Sequence, residues 1–469
     1  MNSQVQLDPH TLGRVHFIGM GGAGMSAVAR LLLARGVDVS GSDAKDSKGL
    51  RELEELGATV FVGQQAQNVD GAGTVVISTA IKPSNPELAA ARERGLRVVH
   101  RSEALASAMH GRRVVAVAGT HGKTTTSSMT TVAFRAAGLD PSWAIGAFVA
   151  DLGANAGFAD GAWFVAEADE SDGSFLAYHP EIAVVTNVEP DHLDHYGSAE
   201  EFFASFDRFS ETVRPGGTLV ACLDDQGSRN LAERRRATGE AVLTYGLDPA
   251  ADVVISGIEA RGVGSHCTLT FALAGGEPSS LELDLLVPGA HNIADAAAAF
   301  TAGLAAGAEP EALIDGLGQF HGSARRFDLK GTARGVRVFD DYAHHPTEVQ
   351  AALRAAREVA GEHKVHAIFQ PHLYSRTREF AAEFAAALEL ADHAYVLDVF
   401  GAREEPMPGI TGATIADLAP SGRVVSTPEA EEAIGAVLQS AGEGDLILTV
   451  GAGDITALGP KIVDGLALN

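Results

Sequence analysis

A chain of 469 residues exceeds the size at which one hydrophobic core keeps growing, so two or three domains are expected. Its 35 Lys and Arg against 61 Asp and Glu give a formal charge of -26, which opposes nucleic acid and anionic membranes as partners and favours a soluble surface. Cys222 and Cys267 stand far apart without metal-ligand spacing, which speaks against a disulfide framework or structural zinc and for a reducing, cytoplasmic setting. The start, MNSQVQLDPHTLGRV, lacks a basic segment followed by an apolar one, and no apolar run reaches the roughly 18 residues of a membrane helix, so neither secretion nor membrane insertion is expected.

Short apolar runs alternate with helical patterns, which points to parallel sheets covered by helices, an α/β class. In the first block VHFIG, VDVSGSD, TVVISTA and LRVVH read as strands, and residues 24–35, 48–56 and 85–94 as helices. They predict a small doubly wound, Rossmann-like domain over residues 1–108. RRVVAVAG opens a second block, residues 109–327, continued by WFVAEAD, IAVVTNV, TLVACLDD and AVLTYG. HCTLTFAL and LELDLLV then give this block a small β-rich subregion ahead of the helix HNIADAAAAFTAG. A third block, residues 328–469, carries VRVFDDYA, HKVHAIFQP, HAYVLDVF, RVVS and DLILTVG between helical patterns and reads as a second Rossmann-like domain.

Two glycine-rich turns stand at strand-to-helix junctions. In GMGGAG, Gly19, Gly21, Gly22 and Gly24 let backbone N–H groups and a helix N-terminus face an anion, most simply a diphosphate. Asp43, about 20 residues further on, suits a ribose. The turn by itself leaves open whether the diphosphate belongs to NAD or to another nucleotide. In AVAGTHGKTTTSSM, Gly119 and Gly122 let the backbone close around phosphate oxygens, Lys123 supplies a point charge, the Thr124 hydroxyl can ligate Mg²⁺, and Thr125 follows at the helix start. Val117 occupies the first glycine position of the longer loop, so this is a P-loop of the shorter G-T-x-G-K-T-T form.

The strand AWFVAEAD ends at Glu167, where nucleotide-binding sheets put the acid that holds magnesium. Past the next strand, TNVEPDHLDHY offers Asn187, Asp191, His192, Asp194 and His195. By residue type this cluster suits a transition metal, a second magnesium with bound substrate, or a structural turn. FDDYAHHP brings Asp340, Tyr342, His344 and His345 to the C-terminal end of a strand, the usual ligand edge of an open α/β sheet.

The motifs GTHGKTTT, EADESD, TNVEPDHLD, PGAHN, SARRF, FDDYAHHPTE, FQPHLYSRT and GAREEP, in that order and with GMGGAGMS near the start, resemble the ATP-dependent Mur ligases over the full length. The resemblance implies ATP-driven joining of L-alanine to the lactyl carboxylate of UDP-N-acetylmuramate through an acyl phosphate, with ATP and two Mg²⁺ ions as cofactors. Members that add later residues carry a carbamylated lysine about fifteen positions after the first Asp of DHLD. Phe206 stands there, in agreement with the alanine-adding pattern.

The resemblance assigns Lys123, Glu167, His192, Arg326, His344 and Arg376 to catalysis, and Thr124, Glu167 and His192 to metal. Around ATP it puts Gly119, Thr120, His121, Gly122, Lys123, Thr124, Thr125, His291, Asn292, Arg326 and Asp340. With ATP taken by the second loop, Gly19, Gly21, Gly22, Gly24, Met25 and Asp43 are left for the UDP part of the substrate. His121, Asp169, Glu170 and Ser171 are further substrate contacts, and Tyr342, His344, His372 and Arg376 form the amino-acid side. Of Arg325 and Arg326 the second is the expected γ-phosphate contact. Asn292 is otherwise a buried helix cap, and His345 otherwise caps the helix TEVQAALRAAREV. Leu373 departs from the Arg that follows this His in many members.

The chemistry explains the need for cations. A carboxylate attacks a γ-phosphate, and at about 4 Å with an effective dielectric near 20 each unit-charge pair repels by roughly 4 kcal/mol. Lys123, magnesium and an arginine would offset this. Reaction also needs closure of the third domain on the second to exclude water, with a hinge expected near residues 327–331. The alternatives are an NAD oxidoreductase, a ligase that attaches a whole tripeptide, and a non-catalytic ATP-driven module. The P-loop, the HHP and PHLYSRT segments, and the His and Arg sets of a further domain speak against them in turn. A monomer or weak homodimer is expected.

Overall fold

The structure, a computed structural model, describes residues 7–272, 276–402 and 404–468; Arg403 of GAREEP and the side chain of Asp194 lie outside the described residues. It is an α/β protein with three sheet-containing domains. The chain forms two compact units, residues 1–256, 268–282 and 294–319, and residues 257–267, 283–293 and 320–469.

The first sheet joins β1 (Val15–Ile18), β2 (Val39–Asp43), β3 (Thr59–Val62), β4 (Thr74–Ile77) and β5 (Arg97–His100), all parallel, in the order β3-β2-β1-β4-β5. Chain order reverses at β1, so the glycine turn that follows it sits at the switch point where such sheets bind ligands. Helices α1 (Ala23–Ala34), α2 (Lys48–Glu55), α3 (Pro86–Glu93) and α4 (Arg101–Ala108) connect the strands. α4 opens on a capping box in which Glu103 accepts from His100 N at 2.7 Å. β3, TVFV, was not among the predicted strands. It is a partly exposed edge strand without a buried apolar run, so its periodicity carries little signal.

The second sheet holds β6 (Arg113–Ala118), β7 (Ser142–Val149), β8 (Ala154–Gly157), β9 (Trp163–Glu167), β10 (Ile182–Val185), β11 (Thr218–Cys222), β12 (Ala241–Gly246), β13 (Val253–Arg261), β14 (Gly264–Phe271) and β15 (Ser279–Leu285). Their order is β15-β14-β13-β12-β11-β10-β6-β9-β7-β8. β6 lies between β9 and β10 in parallel register, Val117 opposite Glu167 and Ala118 opposite Val185. The chain ends that carry Gly119, Glu167 and Asn187 therefore emerge side by side.

From the P-loop runs α5 (Lys123–Ala136), rich in Ser and Thr yet buried along most of its length. Its hydroxyls satisfy themselves: Ser127 donates to Lys123 O, Ser128 to Thr124 O, Thr130 to Thr126 O and Thr131 to Ser127 O, all at 2.7–2.8 Å. Phe206 is 1% exposed and packs edge-on to Phe175 at 5.4 Å, so an aromatic core fills the position of the carbamylated lysine.

The third sheet comprises β16 (Asp328–Ala333), β17 (Val336–Asp341), β18 (Val365–Phe369), β19 (His393–Val396), β20 (Val424–Ser426) and β21 (Leu446–Val450), in the order β16-β17-β21-β18-β19-β20. Only β16 runs antiparallel, to β17. Asp328, Leu329 and Gly331 pair with β17 around a register shift, and Arg325 and Phe327 just before them take left-handed backbone. Among the described residues, no helix is long and apolar enough to cross a membrane.

Candidate active site

In the first unit the loop Gly119–Thr125 is built from backbone held by its neighbours. Gly122 turns at φ +80° into α5, and a Cβ there would collide with Asp295 Oδ1. Asn187 accepts from His121 N at 2.9 Å and donates to His121 O at 3.1 Å. Thr120 Oγ1 donates to Glu189 O at 2.8 Å and accepts from Glu189 N at 2.9 Å, while His121 Nε2 lies 3.0 Å from Glu189 Oε2. Asn187, open by type to metal or substrate, thus clamps the loop.

Lys123 Nζ donates to Gly119 O at 2.7 Å, to Thr120 O at 3.0 Å and to Glu170 Oε1 at 2.9 Å, with Glu170 Oε2 at 2.8 Å. Glu170 is 1% exposed, and burial pushes its carboxyl up to about 7 against the pull of Lys123. Burial works to lower the Lys123 ammonium, but Glu170 and Asp169 outweigh it and hold the group above its ordinary value. His192 lies 3.9 Å from Glu170 Oε1 and 3.6 Å from Asp191 Oδ2, at a left-handed φ of +54°.

Thr124 Oγ1 donates to both Glu167 oxygens, at 3.1 and 3.0 Å, and Gly146 N donates to Glu167 Oε2 at 2.6 Å. A hydroxyl and a carboxylate that close together form a hard-oxygen set suited to Mg²⁺. Glu167 also lines a cleft of about 90 Å³, together with Gly24 and Val28 of α1, Arg101 and Leu105 of α4, and Ile145 of β7. Asp169 lies in the same cleft and accepts from Ser171 N at 3.1 Å. At the glycine turn, Asp43 Oδ2 accepts from Gly21 N at 2.9 Å, so this carboxylate braces the turn. Met25 is buried in α1.

The second unit gathers another set at the C-terminal end of β17. Asp340 is 0% exposed and fully engaged: Oδ1 accepts from Thr449 at 2.7 Å, and Oδ2 from Thr456 at 2.7 Å and Arg325 Nε at 3.3 Å. Asp340, expected beside ATP, thus also anchors Arg325. Arg325 also donates to Gly451 O at 2.6 Å and Gly453 O at 3.2 Å. Its guanidinium and that of Arg326 lie 4.7 and 5.4 Å from the Tyr342 ring centre, and Arg326 Nη1 is 3.9 Å from Glu348.

His344 Nδ1 sits 3.0 Å from Tyr342 O and 3.4 Å from Glu348 Oε2. Its ring centre is 5.8 Å from that of His372, which stacks on Phe400. Leu373 takes a left-handed φ of +70° and donates to Phe400 O at 3.0 Å, and Arg376 on the next helix is 6% exposed. His345 is the N-cap residue of the helix Pro346–Ala360, and Glu348 accepts from the His344 and His345 N–H groups at 3.0 and 3.3 Å. Asn292 is buried and donates to Pro288 O at 2.6 Å, whereas His291 beside it is exposed. Burial pushes Asp341 up to about 6, while Arg326 and the N–H groups of Ala343 and Phe327 pull it back.

Residues 14–113 match the profile described as Mur ligase family, catalytic domain, residues 117–303 the Mur ligase middle domain, and residues 325–453 the Mur ligase, glutamate ligase domain. The UDP-N-acetylmuramate–L-alanine ligase of Paenarthrobacter aurescens (strain TC1) is 58% identical over 97% of this chain and 98% of its own. The chain belongs to the Mur ligase family. A UDP-N-acetylmuramate–L-alanine ligase of Mycolicibacterium gilvum is 49% identical over 97% of both chains. Among solved Mur ligases, the UDP-N-acetylmuramate–alanine ligase of Thermotoga maritima aligns with a TM-score of 0.79 at 28% identity, covering 96% of this chain and 98% of that one. The murein peptide ligase of Psychrobacter arcticus 273-4, 23% identical with a TM-score of 0.70 over 97% and 99% of the chains, shares the fold.

Within this Mur ligase, sequence reasoning missed Arg101, Glu189 and Glu348. The His-x-x-x-Glu spacing from His344 to Glu348 is a cap signal and could have revealed the last. Arg101 reaches its cleft only through tertiary folding, and no local pattern announces it.

Proposed function

We propose that this chain joins L-alanine to the lactyl carboxylate of UDP-N-acetylmuramate, with ATP driving the reaction through an acyl phosphate. The observation that carries the reading is one cleft that runs from Gly24 of the diphosphate-type turn to Glu167 beside the P-loop. A sugar nucleotide seated in it brings its carboxylate toward the γ-phosphate. The relatives named for this activity, 58% and 49% identical over nearly the full chain, support the substrate pair.

Lys123 leaves Glu170 for the β- and γ-phosphates, and its charge offsets the repulsion between carboxylate and phosphate. Thr124 and Glu167, with His192, would hold Mg²⁺, which when bound neutralises phosphate charge. Arg326 adds a further cation at the γ-phosphate. Tyr342, His344, His372 and Arg376 receive alanine, Arg376 pairing with its carboxylate while the amine opens the acyl phosphate. Asp340 orients Arg325. The working domains are residues 1–108, 109–327 and 328–469, in a cytoplasmic monomer or weak homodimer.

Phosphate release from ATP, measured with UDP-N-acetylmuramate and a panel of amino acids, tests the reading. Turnover with L-alanine is expected. Activity only with a tripeptide, or only with NAD present, would overturn it.

A further inference from the structure

The glycine turn Gly19–Gly24 contains no basic residue. One of its donors, Gly21 N–H, is engaged by Asp43, which also sets a carboxylate beside the turn. Two other carboxylates, Glu167 and Asp169, line the cleft that reaches the turn at Gly24. A diphosphate bound at the turn meets N–H groups and a helix N-terminus, but also carboxylates nearby. Among the described residues lining the cleft, Arg101 is the single Lys or Arg. It begins α4 at the C-terminal end of β5, on the ligand edge of the first sheet. Its Nη1 lies directly over Gly24, where a Cβ would collide with it, and its Nη2 is 3.5 Å from Asp169 Oδ2.

We infer that Arg101 is the cation that binds the diphosphate of the sugar nucleotide, and that Asp169 is a positioning residue that aims it over Gly24. Arginine suits the task because its planar fork meets phosphate oxygens with two parallel donors while a third N–H stays on Asp169. Gly24 acquires a reason beyond its place in a fingerprint: the missing side chain lets the guanidinium approach the helix N-terminus. The inference deepens the proposed function and rests on it.

Calorimetry on the full chain without ATP separates the two. Wild type that binds neither UDP-N-acetylmuramate nor UDP overturns both. Where wild type binds, Arg101→Ala should weaken UDP-N-acetylmuramate, UDP-N-acetylglucosamine and UDP alike, by about 10- to 100-fold, the range of a charge-assisted hydrogen bond. Arg101→Lys should recover part of the loss. In turnover, KM for the sugar nucleotide should rise by the same factor, with KM for ATP and kcat within about threefold. Unchanged UDP affinity, or a loss confined to the lactyl-bearing nucleotide, overturns the assignment. Should Arg101→Ala melt early, Arg101→Lys and Arg101→Gln give the same comparison.

Discussion

The two glycine turns, Gly19–Gly24 and Gly119–Thr125, follow one plan at strand-to-helix junctions but draw their charge from different places. The second carries its own cation, Lys123, at the first position of α5, and pairs it with Glu170. The first carries none, and the guanidinium over it comes from Arg101, more than seventy positions along the chain. A self-contained loop can be read from a short motif. A loop that borrows its charge depends on how strands β1 and β5 are placed in one sheet. The two should therefore respond differently to substitution.

The largest effect is expected at Lys123. Lys123→Ala should lower kcat for phosphate release by on the order of 10³-fold, since it removes the fixed charge at the transferring phosphate, and leave UDP affinity within about twofold. A loss of UDP affinity as large as that of turnover would erase the division of labour between the turns. Glu167→Gln comes next: kcat should fall by on the order of 10²-fold and the Mg²⁺ needed for half-maximal rate should rise, read from a magnesium titration of turnover. An unaltered magnesium dependence would count against its role.

The glycines sharpen the contrast. Gly122→Ala forces a Cβ into left-handed backbone against Asp295, and should cost about 2 kcal/mol in thermal melts. Gly24→Ala sits in helical backbone, and the atoms its Cβ would meet first belong to the Arg101 side chain. Its melting temperature should hold or rise slightly, because alanine favours helix by about 0.5–1 kcal/mol. Its UDP affinity should nevertheless drop. The smallest effect is a pH slope in the second unit. Asp341 is raised from 3.8 to about 6 by burial, so the fold prefers its protonated form. That contribution is complete below about pH 4 and disappears as pH rises through 6. Asp341→Asn should flatten this part of the stability curve, on the order of 1 kcal/mol, as read by denaturant unfolding at several pH values.

Much of the architecture was legible because buried parallel strands are continuous apolar runs, as in VVAVA of β6 and LILTV of β21. Edge strands such as TVFV and the antiparallel Asp328–Ala333 escaped, since half-exposed strands lack that run. At the site, Lys123, Thr124 and Glu167 were readable as a set because strand ends concentrate them. For Asp340 the sequence could not show the tie to Arg325, because an acid at a strand end can face a ligand or hold an arginine, and only packing shows the second. Asn187 and Asn292 likewise could be ligands by type and serve backbone groups by position. Glu348 shows the reverse case, a cap spacing that sequence contained and the motif reading passed over.

The register of β6 between β9 and β10 constrains how such a site can change. Glu167 faces Thr124 because Val117 is its partner across the ladder, and side chains alternate faces along a strand. One residue inserted into β9 would turn the carboxylate to the opposite face of the sheet while the P-loop kept its entire sequence. The place of Glu167 beside the P-loop is thus encoded by parity along a strand as much as by its own codon, and lengthening or shortening that keeps it belongs in the turns.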